Sequence, residues 1–345
     1  MSTDAAANAT HEAAAAEKAL LLRLAGGAVS GDTLAREAGL TRAAVWKRIE
    51  ALRAAGIAID AQRGRGYVLQ EPLDLLDAGV IAEGLPEAVR AGVHGPGVAW
   101  SLDSTNSELL RRRTPQCGVE VLLAERQSGG RGRLGRDWAS PLAANLYLSL
   151  ARAFDGGLAR LGGLGLVAGV AAAEALHALG YDTVRLKWPN DLVIVDPGRQ
   201  GLRKLGGLLV EGGGEHAGPE RAVLGLGLNA RMPATTAAAI DQPWCDLAAL
   251  AHPAPPSRNA IASALVAQLV PALEQFDHEG LAPFLPRHAA LDALSGRIVE
   301  VRTGRDLHAG RVLGLAADGA LRVEIDCAER HVHSGEASLR ARPAA

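Results

Sequence analysis

The stretch from Gln127 to Trp138, QSGGRGRLGRDW, holds the residues of this chain best suited to chemistry on an anion. Its four glycines leave backbone N–H groups accessible and permit turns with positive φ. Its three arginines provide planar donor pairs for phosphate or carboxylate oxygens. We interpret this stretch, named the Gly/Arg loop below, as an anion-binding loop. The alternative is a solvated turn, since Gly- and Arg-rich turns often only connect elements.

Glycines of the Gly/Arg loop have the GxGxxG spacing of a dinucleotide-binding fingerprint, but their surroundings do not fit that motif. A strand-like run, Val119 to Ala124, precedes the loop, and Asn145 to Leu150 alternates like a second strand after it. The dinucleotide motif requires a helix at that second position. No Gly-Lys-Ser/Thr sequence closes the loop, so a P-loop is excluded as well.

Two lysines are predicted at the ends of strands, where they can reach into a site across a sheet. Lys187 ends an apolar run before a Pro-Asn-Asp turn, and Lys204 starts the run that ends at Glu211. Together with the Gly/Arg loop they favour electrostatic stabilisation of a phosphate, for example when a carboxylate attacks the α-phosphate of ATP. The alternative for each lysine is a solvated charge that guards a sheet edge.

The N-terminal fifth of the chain is predicted to fold as a winged helix. Helical patterns cover Lys18 to Leu24, Gly31 to Ala38 and Arg42 to Ala55, with Thr41 as the cap of the third helix. The segment from Gly56 to Leu69 then forms the wing, with two strands on either side of a turn at Arg63 to Gly66. Between Arg36 and Arg65 we count seven basic and three acidic residues, a local excess that fits a DNA-binding surface. The alternative is a winged helix used only for protein contacts.

The remaining chain predicts an α+β fold with a small β domain at its end. Thr105 and Glu108 have capping-box spacing and begin a helix, and Leu158 to Leu179 is a long apolar helix. Several strands from Val184 to Asn229 suggest an antiparallel meander. After a helix from Arg258 to His278 containing Pro271, short strands with tight turns suggest a barrel of SH3 type.

Composition narrows the class of protein. The net charge is −2, so any attraction to nucleic acid must be local. Three widely spaced cysteines without a CxxC pair suit a reducing cytoplasm, and neither a signal peptide nor a membrane span is predicted. We predict a disordered leader at 1–16, a winged helix at 17–72, a catalytic domain at 80–290 and an SH3-like domain at 292–345.

Several motifs occur in an order that resembles the biotin protein ligases. The nearly full-length resemblance is strongest to the bifunctional bacterial form that also represses the biotin operon, because a winged helix stands in front. The motifs are Ser104 to Asn106, Glu125 to Gln127, GRGRLGR at 130–136 with Trp138, Asn145 to Ser149, KWPND at 187–191, KLGG at 204–207 and GEASL at 335–339.

This resemblance implies a fold, a reaction and a site. The fold is a class II synthetase-like α+β domain with an antiparallel sheet, between a winged helix and an SH3-like barrel. The reaction uses biotin and MgATP to form biotinyl-5′-AMP, then modifies a lysine of the biotin carboxyl carrier protein. The implied biotin and adenylate residues are Ser104, Thr105, Asn106, Gln127, Arg131, Gly132, Arg133 and Lys204, of which Arg131, Arg133 and Lys204 are catalytic. The implied ATP contacts are Lys187, Asn190, Asp191 and Trp244, and no metal ligand is assigned.

The resemblance also implies a homodimer that places two winged helices on operator DNA when the adenylate is bound. The predicted DNA contacts are Arg42, Lys47, Arg48, Arg63 and Arg65. Leu134 and Asp137 stand where the best-known relative is basic, so weaker retention of the adenylate is expected. Alternatives are a ligase whose winged helix does not repress, a lipoate-type ligase, and a transcription factor that only senses a ligand.

Overall fold

The computed structural model describes residues 3–154, 158–196, 201–213, 220–250, 255–303, 306–333 and 337–341. The helices are α1 (Thr3–Ala25), α2 (Gly31–Ala38), α3 (Arg42–Ala54), α4 (Ala78–Glu83), α5 (Glu87–Arg90), α6 (Thr105–Arg111), α7 (Leu164–Ala178), α8 (Ala234–Ala237), α9 (Leu247–Leu250), α10 (Arg258–Glu279) and α11 (Phe284–Leu291). The strands are β1 (Ile59–Gln62), β2 (Gly66–Leu69), β3 (Val93–Ala99), β4 (Val119–Ala124), β5 (Leu146–Phe154), β6 (Val184–Lys187), β7 (Asp191–Val195), β8 (Leu202–Gly213), β9 (Glu220–Leu228), β10 (Ile298–Thr303), β11 (Asp306–Leu315), β12 (Leu321–Ile325), β13 (Ala328–Val332) and β14 (Ala337–Ala341).

The first three helices and the β1–β2 hairpin form the predicted winged helix. Thr41 caps α3, since its hydroxyl oxygen accepts the Ala44 N–H at 3.2 Å. Val45, Ile49 and Leu52 are buried on the inner face of α3. The wing is tied back by paired backbone hydrogen bonds between β2 and the turn before α2. The helix-turn-helix and wing predicted from the sequence are therefore confirmed.

The predicted disordered leader at 1–16 is wrong for the part that the structure describes. Helix α1 begins at Thr3 and runs without a break into the amphipathic segment that packs in the winged helix. The reason lies in the composition of the leader, which is mostly alanine, the residue with the highest helix propensity. An alanine-rich segment joined to a packed helix extends that helix at little cost.

A seven-stranded sheet in the order β3-β4-β5-β9-β8-β7-β6 forms the centre of the chain. All its neighbouring pairs are antiparallel except β3 and β4, which are parallel. The antiparallel sheet that was expected is confirmed, with this parallel pair at the sheet edge as the one exception. The cause is the crossover through α6, which returns the chain to the sheet in the direction of β3. Neither β3 nor the short helices α4 and α5 were predicted.

Helices α7 and α10 supply much of the hydrophobic core with the sheet. The long helix expected from 158 begins instead as a 3-10 helix, Leu158–Gly163, before α7 starts at Leu164. Glycines at 162, 163 and 165 lower the helix propensity at this junction. In length and apolar composition, Leu161–Ala178 could cross a membrane, but 72% of it is buried inside the protein. It is thus a core helix.

The C-terminal strands form a five-stranded antiparallel sheet in the order β13-β12-β11-β10-β14. This confirms the α+β class with a small β domain at the end, although β14 was not predicted. The domain shares a core with the central one, because Trp188 and Leu166 pack among its buried residues. Parts of the predicted loops and of the motif at 335–339 lie outside the described residues, at 197–200, 251–254, 304–305 and 334–336.

Candidate active site

A floor of glycines on β8 and β9 forms the base of the site. Gly207 pairs with Gly227, and Gly225 lies two residues before Gly227 on the same face of β9. A Cβ atom added at Gly225 would overlap the Asn106 side chain, and one added at Gly227 would overlap the Trp138 ring. Glycine is therefore needed at both positions so that these two side chains can lie against the backbone.

The indole of Trp138 lies on this floor at the end of the Gly/Arg loop. The Lys204 Nζ atom is 5.4 Å from the centre of the Trp138 ring, within the range of a cation–π contact. The Trp138 Nε1 donor is buried and has no hydrogen-bond acceptor among the described residues. An unpaired buried donor is costly, so this N–H favours a ligand that brings an acceptor.

Helix α6 begins at the opposite side of the floor with a buried polar network. The cap of α6 is Ser104, whose hydroxyl oxygen accepts the Ser107 N–H, and not Thr105 as the capping-box spacing suggested. Thr105 instead donates its backbone N–H to the Gln127 Oε1 atom at 2.8 Å. The Ser149 hydroxyl donates to the Asn106 Oδ1 atom at 2.6 Å. The structure thus gathers all four residues that were assigned to biotin, Ser104 through Asn106 and Gln127.

Glu211 joins this network to the Gly/Arg loop. Its carboxylate accepts the Asn106 Nδ2 donor at 2.8 Å and pairs with the Arg131 guanidinium at 3.1 Å. Arg131 also donates to the Ser107 hydroxyl oxygen at 2.8 Å. Glu211 therefore holds the first arginine of the loop beside the start of α6.

Two further cations of the site, Lys204 and Arg133, lie where β7 begins beside β8, which is called the β7–β8 edge below. The Lys204 Nζ atom is 2.7 Å from an Asp191 carboxylate oxygen. A bulge at Leu205 sets the position of this lysine, because the register of β7 and β8 shifts there. Arg133 donates to the Asn190 Oδ1 atom at 3.1 Å. Arg133 is half-buried, and this burial lowers the pKa of its guanidinium from the usual value.

Trp244 and Lys187, the two remaining residues assigned to ATP, are each placed near this edge by backbone contacts. Trp244 is half-buried beside Lys204, whose backbone N–H and C=O bond to the residues on either side of Trp244. Lys187 lies opposite Asp191 in the backbone register of the β6–β7 hairpin. A small open pocket at that hairpin is lined by Lys187, Asp191 and the buried His288 of α11 among others.

Backbone hydrogen bonds anchor the start of the Gly/Arg loop. The Asp103 carbonyl accepts the Gly129 N–H at 2.8 Å. The Asp103 side chain is fixed as well, since its carboxylate accepts two hydrogen bonds from Arg111. These bonds lower the pKa of the carboxylate to about 2, so it stays charged. At the loop tip Leu134 has a φ of 57° and is 74% exposed. The loop is thus fixed at its base and open at its tip.

Both ends of the Gly/Arg loop also contact the winged helix. Before the loop, Arg126 donates to the Glu17 carboxylate of α1 at 3.1 Å, and the Trp100 indole N–H donates to the same carboxylate at 2.7 Å. After the loop, Leu142 is 1% exposed because it lies within the hydrophobic core of the winged helix. The loop is therefore bracketed by two contacts between the domains.

Sequence reasoning missed the roles of Glu211, Gly225 and Gly227 in building this site. A usable signal existed for the glycines, since Leu-Gly-Leu-Gly-Leu at 224–228 places small residues on one face of a strand and leucines on the other. No such signal exists for Glu211, whose partners are more than 70 residues away in the chain.

The residues assigned to DNA lie on the surface of the winged helix. Arg42 and Lys47 of α3 are exposed, and Arg48 is half-buried. Arg63 and Arg65 are exposed at the turn between β1 and β2. Arg42 pairs with the exposed Asp32 at 3.1 Å, a solvated ion pair of little strength. All five cations are therefore within reach of an approaching polyanion.

Three family models match the chain. They are a helix-turn-helix domain at residues 17–68, the biotin/lipoate A/B protein ligase family at 99–229 and the biotin protein ligase C terminal domain at 294–340. Among solved structures, the biotin protein ligase from Aquifex aeolicus in complex with biotin and ATP superposes with a TM-score of 0.59. It is 24% identical and covers 73% of this chain and 99% of its own. At 24% identity this similarity supports the fold assigned to this chain and nothing further.

Two curated relatives match nine tenths of the chain, and a third matches two thirds of it. The bifunctional ligase/repressor BirA of Salmonella typhimurium is 39% identical over 311 residues, which are 90% of this chain and 93% of that protein. The protein of the same name from Escherichia coli is 39% identical over 313 residues, 90% of this chain and 92% of its own length. The biotin--[acetyl-CoA-carboxylase] ligase of Mycobacterium tuberculosis is 32% identical over 245 residues, 67% of this chain and 85% of that protein.

Proposed function

This chain belongs to the family of bifunctional biotin ligase/repressors, and from that premise we propose how its site works. The protein is an ATP-dependent biotin protein ligase that forms biotinyl-5′-AMP and transfers biotin to a lysine of the biotin carboxyl carrier protein. It is also a biotin-responsive DNA-binding repressor of the biotin operon. We keep the predicted domain limits of 17–72, 80–290 and 292–345.

The observation that carries the proposal is the convergence of cations on the glycine floor. Lys204 lies over Trp138 at 5.4 Å, and Arg133 is held at the same edge by Asn190. In the first step a biotin carboxylate oxygen bonds to the α-phosphorus of ATP, and pyrophosphate leaves. Negative charge grows on the phosphoryl oxygens and the leaving group. Cations fixed beforehand stabilise that charge more strongly than they stabilise the ground state.

We assign biotin to the network at the start of α6. Ser104, Thr105, Asn106 and Gln127 present hydroxyl and amide groups that can pair with a planar polar ring, and the Trp138 Nε1 donor lacks a partner among the described residues. Asn106 and Trp138 lie against the glycines of the floor, so the ligand would bind beside these two side chains. These features fit a small molecule with a polar head and an apolar chain.

We assign the adenylate to the Gly/Arg loop and the β7–β8 edge. Arg131, Gly132 and Arg133 would cover the phosphate, with Lys204 between it and biotin. Lys187, Asn190, Asp191 and Trp244 are the proposed ATP contacts, Trp244 by stacking near adenine. The described residues contain no cluster of three or more His, Cys, Asp or Glu that could hold a metal ion. Magnesium would enter with the nucleotide, and Asp191 would be the carboxylate able to help hold it and so to offset phosphate charge.

In the second step the carrier lysine completes the reaction. Its neutral ε-amine bonds to the biotinyl carbonyl carbon, the bond to the phosphate oxygen breaks, AMP leaves, and the ammonium loses a proton. Arg133 and Lys204 stabilise the charge on the departing AMP as they stabilised it in the first step. The same cations thus serve both steps.

Repression uses the winged helix and a homodimer. The exposed cations Arg42, Lys47, Arg48, Arg63 and Arg65 are placed to contact phosphates, and two copies match a two-fold operator. A ligand that orders the Gly/Arg loop and prefers the dimer must also promote DNA binding. Three free cysteines fit the reducing cytoplasm, where we place the protein.

The test is biotin-dependent release of pyrophosphate from ATP, with lipoate as the control substrate. A carrier domain is then added and its labelling is measured. Turnover with biotin and labelled carrier is the expected result. Turnover with lipoate alone would assign the enzyme to the lipoate ligases, and no turnover with either acid would leave a ligand sensor.

A further inference from the structure

Trp46, on the recognition helix α3, is an exposed aromatic residue that the fold does not use. It is 54% exposed, whereas the other four tryptophans of the chain are half-buried or buried. The inner face of α3 is already filled by Val45, Ile49 and Leu52. An indole in water forgoes the stabilisation that its burial would give. Its position therefore points to a role in binding.

The surroundings of Trp46 indicate the chemistry of the partner. Arg42 lies one helical turn before it, and Lys47 and Arg48 follow it directly. The nearest acid on the helix, Glu50, is paired with Arg53 at 2.6 Å, which neutralises it. The exposed indole is thus set among cations and not within an apolar patch. Exposed cations beside this indole, on the helix that enters the major groove in helix-turn-helix proteins, favour DNA as the partner.

We infer that Trp46 contacts the C5-methyl group of a thymine in the major groove and so contributes to the choice of operator sequence. The inference rests on the proposed repressor function. In helix-turn-helix proteins, residues near the start of the second helix contact base edges, while cations bind phosphates without regard to sequence. Among base edges in the major groove, the thymine methyl is the apolar group that an apolar side chain contacts.

The experiment selects duplexes from a pool of random DNA, using the full-length protein with biotin and ATP. The wild type is compared with Trp46→Ala, with Lys47→Ala as a cation control and Leu22→Ala as a control for loss of an exposed apolar side chain. For Trp46→Ala we expect relaxed selection at one or two positions of each half-site and roughly 5- to 100-fold weaker binding to the wild-type site. Lys47→Ala should weaken binding to every duplex alike, and Leu22→Ala should behave as wild type. All variants should ligate biotin normally.

A second measurement tests the methyl contact itself. Thymine is replaced by uracil at each selected position, which removes the methyl group alone. At one position per half-site this change should weaken binding of the wild type and leave Trp46→Ala unaffected. Identical selection by the two proteins, or uracil effects of equal size in both, would overturn the inference while the repressor function stands. Failure of the wild type to select any sequence would overturn the repressor function and the contact together.

Discussion

Lys204 and Asp191 form an ion pair of 2.7 Å at the point where a bulge interrupts the register of β7 and β8. The bulge directs the lysine toward the glycine floor, where its ammonium also faces the Trp138 ring. Asp191 restrains the ammonium near the place where we propose that phosphate charge develops. Both side chains are only about one fifth exposed, so the pair is less screened by water than a surface pair.

Replacing Lys204 should therefore slow the first chemical step. For Lys204→Ala we expect adenylate formation to fall by on the order of 100-fold or more, because a contact made in the transition state is lost. Pyrophosphate release at saturating biotin and ATP measures it. Lys47→Ala, which removes a lysine of the winged helix, should leave the rate unchanged. Turnover near that of the wild type in Lys204→Ala would remove this lysine from the mechanism.

The Gly/Arg loop should become protected when substrates bind. Its tip is exposed at Leu134, and its arginines are trypsin sites that we expect to close over the adenylate. Biotin with ATP should slow cleavage between Arg131 and Arg136 by on the order of 10-fold. Cleavage after Arg113, which is exposed outside the loop, serves as the internal control. Loop cleavage that is indifferent to both substrates contradicts the proposal.

The glycine floor should not tolerate a methyl group at Gly227. In Gly227→Ala the new Cβ would displace the Trp138 ring, a form of overpacking that typically costs 1–3 kcal/mol. We expect the KM for biotin to rise roughly 5- to 100-fold for that reason. Gly92→Ala is the matched control, because its Cβ would meet its nearest neighbour at an ordinary 3.7 Å. An unchanged KM in Gly227→Ala would separate the floor from biotin binding.

His288 should make stability fall with falling pH. Burial lowers the pKa of its imidazole from 6.5 to about 4. Between pH 6.5 and pH 4 the unfolded chain binds a proton at His288 that the folded chain does not. The contribution of His288 to the free energy of unfolding is therefore present above pH 6.5 and is lost as pH falls toward 4. Between pH 7 and pH 5 the wild type should lose about 2 kcal/mol more than His288→Gln in urea unfolding.

This comparison isolates the histidine from other titrating groups. Burial raises the pKa of Asp292, an effect that acts on stability in the opposite direction and is common to both proteins. Parallel pH profiles for the wild type and His288→Gln would show that the ring takes up its proton in the folded state without penalty.

Local signals in the sequence predicted most of the elements but not β3, α4, α5 or β14, and the site residues were assigned from the resemblance to a family. The Thr41 cap, the apolar face of α3 and the run at Val119–Ala124 are each set by neighbours in the chain. The pairing of Arg131 with Glu211, and of Arg126 with Glu17, depends on how distant segments pack. Such contacts leave no periodic trace in a single sequence, which is why they were missed. The α-helical leader shows the opposite case, where propensity was underestimated.

The burial of Leu142 in the winged helix limits how this protein can be divided. A ligase that lacks residues 1–72 would expose Leu142 and Trp100, which flank the Gly/Arg loop. Exposure of the leucine alone would cost roughly 1.5–3 kcal/mol of stability. A shortened enzyme for labelling applications should therefore carry polar replacements at these positions. In evolution, loss or gain of the winged helix likewise requires that the residues at Leu142 and Trp100 change between apolar and polar at the same time.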